Sequence, residues 1–469
     1  MFREYDSYDG LGLAELIKKQ QISSADIIDE MRGRIDALNP ELNAVVQLFE
    51  SELKQAVVSD AVFSGLPMLL KDLNIYCQGQ YTRNGSRLPK GMPAAQDSEL
   101  VKRYRKAGLI IAGQTNSPEF GLSPSTEPKL NGPTHNPWKR GISPGGSSGG
   151  AAAAIAAGIV PFANASDGGG SIRIPASACG LFGLKPSRGR ISQAPYLGEG
   201  WNGFSTHHAI TRSVRDSAAL LDISQGYVAG DPYTAPQPAG SYLAECQQQP
   251  KPLKIAFNTL NPMGLPVDPD CIAAVQHAAA LCESLGHSVE EAAPEFDAVE
   301  LSMSLYGIIG PHILATVREL EEQLGRSAND DELEELTRLM MATASEQSAE
   351  DYVKMQRSMH KITRQLAPFW QSYDLYLTPV IGMPPQAHGS LLYKSGDDYE
   401  SYGITMATYS PFAGMANLTG QPSMSVPLYW NDKQLPIGVM FTGAYADEAT
   451  LFRLAAQLER QQPWFDRRP

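Results

Sequence analysis

Two stretches of this chain set serine hydroxyls among glycines: SPGGSSGGAAAA (143–154) and ASDGGGSIRIPAS (165–177). Glycine lets the backbone come close to a bound molecule, and successive N–H groups at the start of a helix gather around negative charge. A third stretch, GLPMLLKDLN (65–74), carries Lys71 at the end of an apolar run. Such parts could cradle a phosphate, carry a hydrolase nucleophile, or simply form capped turns.

The phosphate reading lacks its lysine, because neither cluster ends in the GK[ST] of a nucleotide-binding loop. The glycines also miss the GxGxxG spacing, and no acidic residue follows at the distance a dinucleotide fold needs. Gly146–Gly150 spells GxSxG around Ser148, but the residues before it, GISPGG, cannot form the buried strand that a nucleophile elbow requires. The eight histidines include no HExxH pair, so neither a zinc site nor a histidine base is indicated. Taken singly, each cluster reads as a glycine-rich turn with serine caps. Their combination with the Lys71 segment is what points to chemistry.

These segments need a large scaffold, and the chain supplies one. Its 469 residues are 42% hydrophobic and 19% charged, with 42 Gly and 34 Pro, which suits a globular core joined by many tight turns. A net charge of -13 argues against nucleic acid as a partner, since phosphates demand a basic face. Cys77, Cys179, Cys246, Cys271 and Cys282 form an odd set without a CxxC pair, so no metal and no disulfide framework is expected, and the cytoplasm is the expected location. The opening MFREYDSYDG brings charges at once, so no export signal is expected from it, and the alanine-rich run 149–160 is too short to span a membrane.

Short apolar runs alternate with helical patterns, as in LVKRYRKAG (100–108) followed by LIIAGQ (109–114), which predicts an α/β core with buried strands. Residues 1–60 read as a helical entry segment: Leu13, Leu16 and Ile17 make one stripe, and Ile27, Ile28, Met31 and Ile35 follow a cap at Ser23/Ser24. Residues 226–370, with RELEEQLGR and DDELEELTRLM, read as a variable helical insertion or cap. DLYLTPV (374–380), MSVPLYW (424–430) and LPIGVMFTG (435–443) return to strand character. The sheet is therefore expected to be completed from distant segments of one domain, 1–469.

The xGxPxxxKD segment, GGSSGG and SDGGGSIRIPA together resemble the amidase signature family. QTNSPEFG (114–121), ITRSVRD (210–216) and NLTGQPSMSVP (417–427) extend the likeness over most of the chain. The resemblance implies a large, mixed, twisted β-sheet covered by helices on both faces. It also implies an amide hydrolase without cofactor, acting on a small-molecule amide and water. By position it puts the nucleophile on Ser171, the bridging serine on Ser147, after a cis Gly146–Ser147 peptide, and the base on Lys71. It puts the oxyanion hole at the N–H groups of Gly168, Gly169 and Gly170 and around Ser171, with Ser148, Asp167 and Arg173 in support. The chemistry is coherent: an amide is a poor electrophile, so the attacking hydroxyl must lose its proton to a base. A lysine serves only when neutral, which requires burial that lowers its pKa by ~3 at a cost of ~4 kcal/mol; a positive field from the helix after Ser147 would help.

Gly168 stands where many members carry Thr, and Ile174 stands where subunits of tRNA amidotransferases usually carry Gln. Both differences bring DGGGSIRIPAS closer to hydrolases of free amides, including the group acting on 6-aminohexanoate cyclic dimers. The alternatives are an amidotransferase subunit that passes ammonia to a partner and a catalytically silent relative. Tyr306, Tyr352 and Trp370 are candidates for the acyl pocket, with core packing as the competing role. A homodimer is the base-rate expectation for such an enzyme.

Overall fold

A computed structural model describes residues 2, 4–54, 59–88 and 92–469. Part of the entry segment, residues 1, 3 and 55–58, lies outside them. Among the described residues, eleven strands form one sheet: β1 (Val45–Leu48), β2 (Pro67–Lys71), β3 (Ile110–Thr115), β4 (Phe162–Asp167), β5 (Phe182–Lys185), β6 (Thr206–Thr211), β7 (Lys254–Phe257), β8 (Ser288–Glu291), β9 (Leu375–Pro379), β10 (Ser423–Trp430) and β11 (Pro436–Gly443). Their order across the sheet is β1-β3-β2-β4-β6-β5-β10-β11-β9-β7-β8. The sheet is mixed: β2 runs parallel to both β3 and β4, whereas β4 and β6, and β10 and β11, pair antiparallel.

Both faces are covered, and the pleat shows it. In β2, Met68 and Leu70 join one core cluster while Leu69 joins another; in β4, Phe162 and Ala163 divide the same way. Alternate side chains point to opposite faces of a strand, so each face packs its own layer of helices. The alanine-rich helix Gly149–Ala156 is wholly buried against the second cluster, where small side chains let it sit close to the sheet. Its shortness and burial fit a core helix.

The entry segment forms helices Gly10–Lys18 and Ser24–Leu42, the second started by a capping box between Ser23 and Asp26. It also supplies β1, an edge strand of only four residues whose VVQL pattern is too short to be distinguished in a helical context.

The expectation of a helical insertion over 226–370 needs correction. Residues 254–257 and 288–291 are strands β7 and β8 of the common sheet, with helix Pro269–Ser284 packed beside them. The helical cap begins at Ala298, with helices Ala298–Leu324, Glu335–Ser345 and Ala349–Leu366. Parallel strands need a crossover between them, and helix Pro269–Ser284 is that crossover. Helix Ala298–Leu324 has the length and composition to cross a membrane, yet its Leu301, Leu305, Ile308 and Ile313 pack into a third core cluster with Phe120, Phe204 and Met415.

Candidate active site

Lys71 is the last residue of β2 and has no solvent exposure. The PMLL run that precedes it is fully buried, so the strand carries its lysine into the core. Its Nζ lies 2.7 Å from Ser147 Oγ and 3.1 Å from Ser166 Oγ, the latter near the end of the neighbouring β4. Burial drives the Lys71 pKa down to about 7, and the Asp167 carboxylate only partly opposes that shift. Desolvation thus makes the neutral amine accessible near pH 7.

Ser147 sits just before helix Gly149–Ala156, and the Gly146–Ser147 peptide is cis. Glycine is required at 146 by crowding: a Cβ there would stand 2.6 Å from Ser123 O and 2.7 Å from Ser125 N. Ser148 does not cap the helix with its side chain. Its hydroxyl donates instead to Ser166 O of β4 at 3.2 Å, stitching the two glycine-rich segments together.

Asp167 ends β4 and organises the second loop. Its Oδ1 accepts from Gly170 N at 2.8 Å, Asn417 Nδ2 at 2.9 Å and Arg173 Nη2 at 3.0 Å. Its Oδ2 accepts from Arg173 Nε at 3.0 Å and Ile172 N at 3.1 Å. Burial pushes this carboxyl up, but the Arg173 guanidinium, the Lys185 charge and the Asn417 hydrogen bond together outweigh it and hold Asp167 well below the usual carboxylate range. Both partners are fully buried. Removing one would leave an uncompensated charge in the core. Asp167→Ala is therefore expected to cost about 3–5 kcal/mol of stability. Urea unfolding followed by circular dichroism measures this, and a midpoint equal to the wild type would contradict it.

The loop held by Asp167 presents Ser171 half-buried, two residues before helix Arg173–Cys179. The Ser171 hydroxyl has no hydrogen-bond partner among the described residues, so Lys71 and Ser147 are joined while the link from Ser147 to Ser171 is open. Of the three glycines expected to donate to an oxyanion, Gly170 has its N–H committed to Asp167. The N–H groups of Gly169 and Ser171 meet no acceptor among the described residues.

Three residues at the site carried no individual role in the sequence reading. Ser166 shares the Lys71 amine. Asn417, inside the NLTGQPSMSVP segment, donates to Asp167 and accepts from Arg173 at 2.7 Å. His207 lies opposite Ser166 in the β4–β6 ladder and hence on the same face, with its Nδ1 buried and unpaired. Burial, and then the charge of Lys71, lowers its pKa to about 4, so it is a neutral neighbour at ordinary pH. Only the ladder register could have located it. Among the described residues no group of three or more His, Cys, Asp or Glu side chains could hold a metal ion.

Of the acyl-pocket candidates, Tyr352 and Trp370 pack against the third core cluster, whereas Tyr306 is 49% exposed on the cap.

The mixed sheet lowers a buried lysine onto one glycine-rich loop and faces a second loop with a half-buried serine, an arrangement suited to amide hydrolysis. The family model for amidases matches residues 26–452. The chain belongs to the amidase signature family, and it is an amide hydrolase acting on C–N bonds. It is 36% identical to the 6-aminohexanoate-cyclic-dimer hydrolase of Paenarthrobacter ureafaciens, over 98% of this chain and 96% of that one. It is 35% identical to the putative amidase AmiB2 of Mycobacterium tuberculosis, over 97% and 96% respectively. A solved structure of 6-aminohexanoate cyclic dimer hydrolase superposes with a TM-score of 0.94 at 33% identity, covering 99% of both chains.

Proposed function

We propose that the chain hydrolyses a small carboxamide, or a cyclic or linear amide, through an acyl-enzyme on Ser171. The observation that carries this reading is the 2.7 Å contact between a buried Lys71 and Ser147 beside the Ser171 loop. Bound substrate completes the line from Ser147 to Ser171; catalytic hydrogen bonds are commonly long before substrate arrives. The Ser171 proton then passes to Ser147 as Ser147 yields its own to Lys71, while Ser171 Oγ forms a bond to the acyl carbon. The carbonyl oxygen becomes an oxyanion, met by N–H donors from Gly168, Gly169 and Ser171, each worth ~3–4 kcal/mol when fixed beforehand. Gly170 contributes by anchoring the loop through Asp167. Lys71 returns a proton through Ser147 to the leaving nitrogen as the C–N bond breaks. Water, deprotonated along the same line, attacks the ester and releases the acid.

The reaction needs no cofactor and no partner protein. The likeness to 6-aminohexanoate-cyclic-dimer hydrolases supports aliphatic amides as the first substrates to try, that cyclic dimer among them. Five free, buried cysteines support a reducing cytoplasm, and the charge of -13 supports action away from nucleic acid. A hydrolysis screen over aliphatic, aromatic, peptide and cyclic amides, with purified chain alone and no ATP, tests the reading. Acid released only when a partner and ATP are added would favour the amidotransferase alternative.

The base also sets the pH profile. Lys71, with a pKa of about 7, must be neutral to accept a proton. Lowering pH through 7 protonates it, so kcat/KM is expected to be level above that point and to fall about tenfold per pH unit below it. A profile flat from pH 5 to 9 would contradict Lys71 as the base.

A further inference from the structure

The Gly168 backbone is in contact with an aromatic ring from another segment. A Cβ at Gly168 would stand 2.6 Å from both Cε3 and Cζ3 of Trp201, so the indole occupies the space that a side chain at 168 would need. Gly168 lies three positions before Ser171 on the same Asp167-held loop. The glycine noted in the sequence as a departure is thus one half of a matched pair.

The turn that carries the ring is held by several hydrogen bonds. Trp201, Asn202 and Gly203 follow one another with φ of 52°, 55° and 78°. A bulky residue in the left-handed region is a backbone outlier that persists only where its surroundings impose it, and such residues cluster at functional sites. Here the turn is closed by Phe204 N to Trp201 O at 3.1 Å and Ser205 N to Gly200 O at 3.0 Å. Gln356 Nε2, from cap helix Ala349–Leu366, donates to Asn202 Oδ1 at 3.0 Å. Arg188 Nε donates to Gly203 O at 2.8 Å. Asn417 Nδ2 donates both to Phe204 O at 3.1 Å and to Asp167 Oδ1 at 2.9 Å, tying this turn to the carboxylate that shapes the Ser171 loop. Part of the indole packs into the third core cluster under the cap, and the residue as a whole stays only half-buried.

We infer that Trp201 is the specificity-determining platform of the acyl site, selecting amides whose acyl part is an unbranched polymethylene chain or a flat ring. This rests on the Ser171 acyl-enzyme reading. An indole offers a broad apolar face whose position is set by only two side-chain torsions, so an extended chain gains contact along it. A branch next to the carbonyl would lift the chain off that face. With Thr at 168 the ring could not occupy its present position, which is why glycine stands there.

The test is a competition between p-nitrophenyl hexanoate and p-nitrophenyl acetate, activated esters that acylate the same serine. The ratio of their kcat/KM values is independent of the fraction of folded enzyme. At about 0.8 kcal/mol per methylene removed from water, loss of the platform is expected to lower the hexanoate-to-acetate ratio about 10–100-fold in Trp201→Ala. Trp201→Phe should fall between. Gly168→Thr should depress the ratio as well, and adding Trp201→Ala to Gly168→Thr should lower it no further than Trp201→Ala does alone. A ratio unchanged in both Trp201 variants overturns the proposal. Turnover of both esters by Ser171→Ala would instead overturn the acyl-enzyme reading, so the two failures are told apart.

Discussion

Ser171→Ala is expected to leave less than about one part in 10⁴ of the wild-type kcat on any amide the enzyme hydrolyses. Without the hydroxyl no acyl-enzyme forms, and only the oxyanion donors and substrate positioning remain; in hydrolases of comparable logic that residue of machinery retains a small rate over water. The fold should be untouched. The Ser171 hydroxyl is half-buried and makes no hydrogen bond among the described residues, so its removal strands no partner and opens no sealed cavity. Three readouts separate loss of chemistry from loss of structure: turnover, the melting temperature, and covalent labelling by a fluorophosphonate. Turnover and labelling should vanish together at an unchanged melting temperature. Labelling that persists on Ser147, with turnover, would move the nucleophile to the first cluster.

The second large effect is expected at Lys71, where replacement by alanine should lower kcat by about 10²–10⁴, the usual worth of a positioned general base. Alanine also leaves a void in a fully buried site, so Lys71→Met, which preserves most of the volume, is the cleaner companion. Both variants should lose the fall in rate below pH 7, because the group that titrates there is gone. A variant that keeps that limb would assign it elsewhere. Lys185 is the other lysine to consider: it is fully buried, and its pKa is also lowered to about 7, first by burial and then by Arg173. Its Nζ donates to Pro186 O at 2.8 Å, a structural engagement that gives it no contact with either serine.

The two lysines illustrate what patterning reveals. Lys71 was legible because it follows an apolar run and sits in a motif with KD after it; Lys185 also follows an apolar strand, yet nothing in its local sequence separates it from a surface lysine. The strands β2, β3, β9, β10 and β11 were readable for a general reason: buried strands in a sheet covered on both faces are continuous apolar runs between turn residues. Strands β7 and β8 were not. KIAF and SVEE are four residues each with exposed positions, at the far edge of the sheet, so their composition matches that of neighbouring helices and loops.

Residue types alone single out the segments proposed to carry chemistry, the Lys71 strand, the Ser147 turn and the Ser171 loop, because a buried lysine and two glycine-framed serines are legible locally. The sequence by itself also determined that the strands between them are buried. Only the tertiary structure decided which groups meet. Lys71 could have faced Ser147, Ser148 or solvent, and the parallel β2–β4 neighbourhood sets it against Ser147 and Ser166. Gly170 looked equivalent to Gly168 and Gly169, and the Asp167 carboxylate takes its N–H out of that set. Asn417, His207 and Trp201 reach the site from segments far along the chain through strand register and loop closure. Long-range pairing of that kind leaves no local periodicity to read, since its determinants are distances between segments and not the order of residues within one.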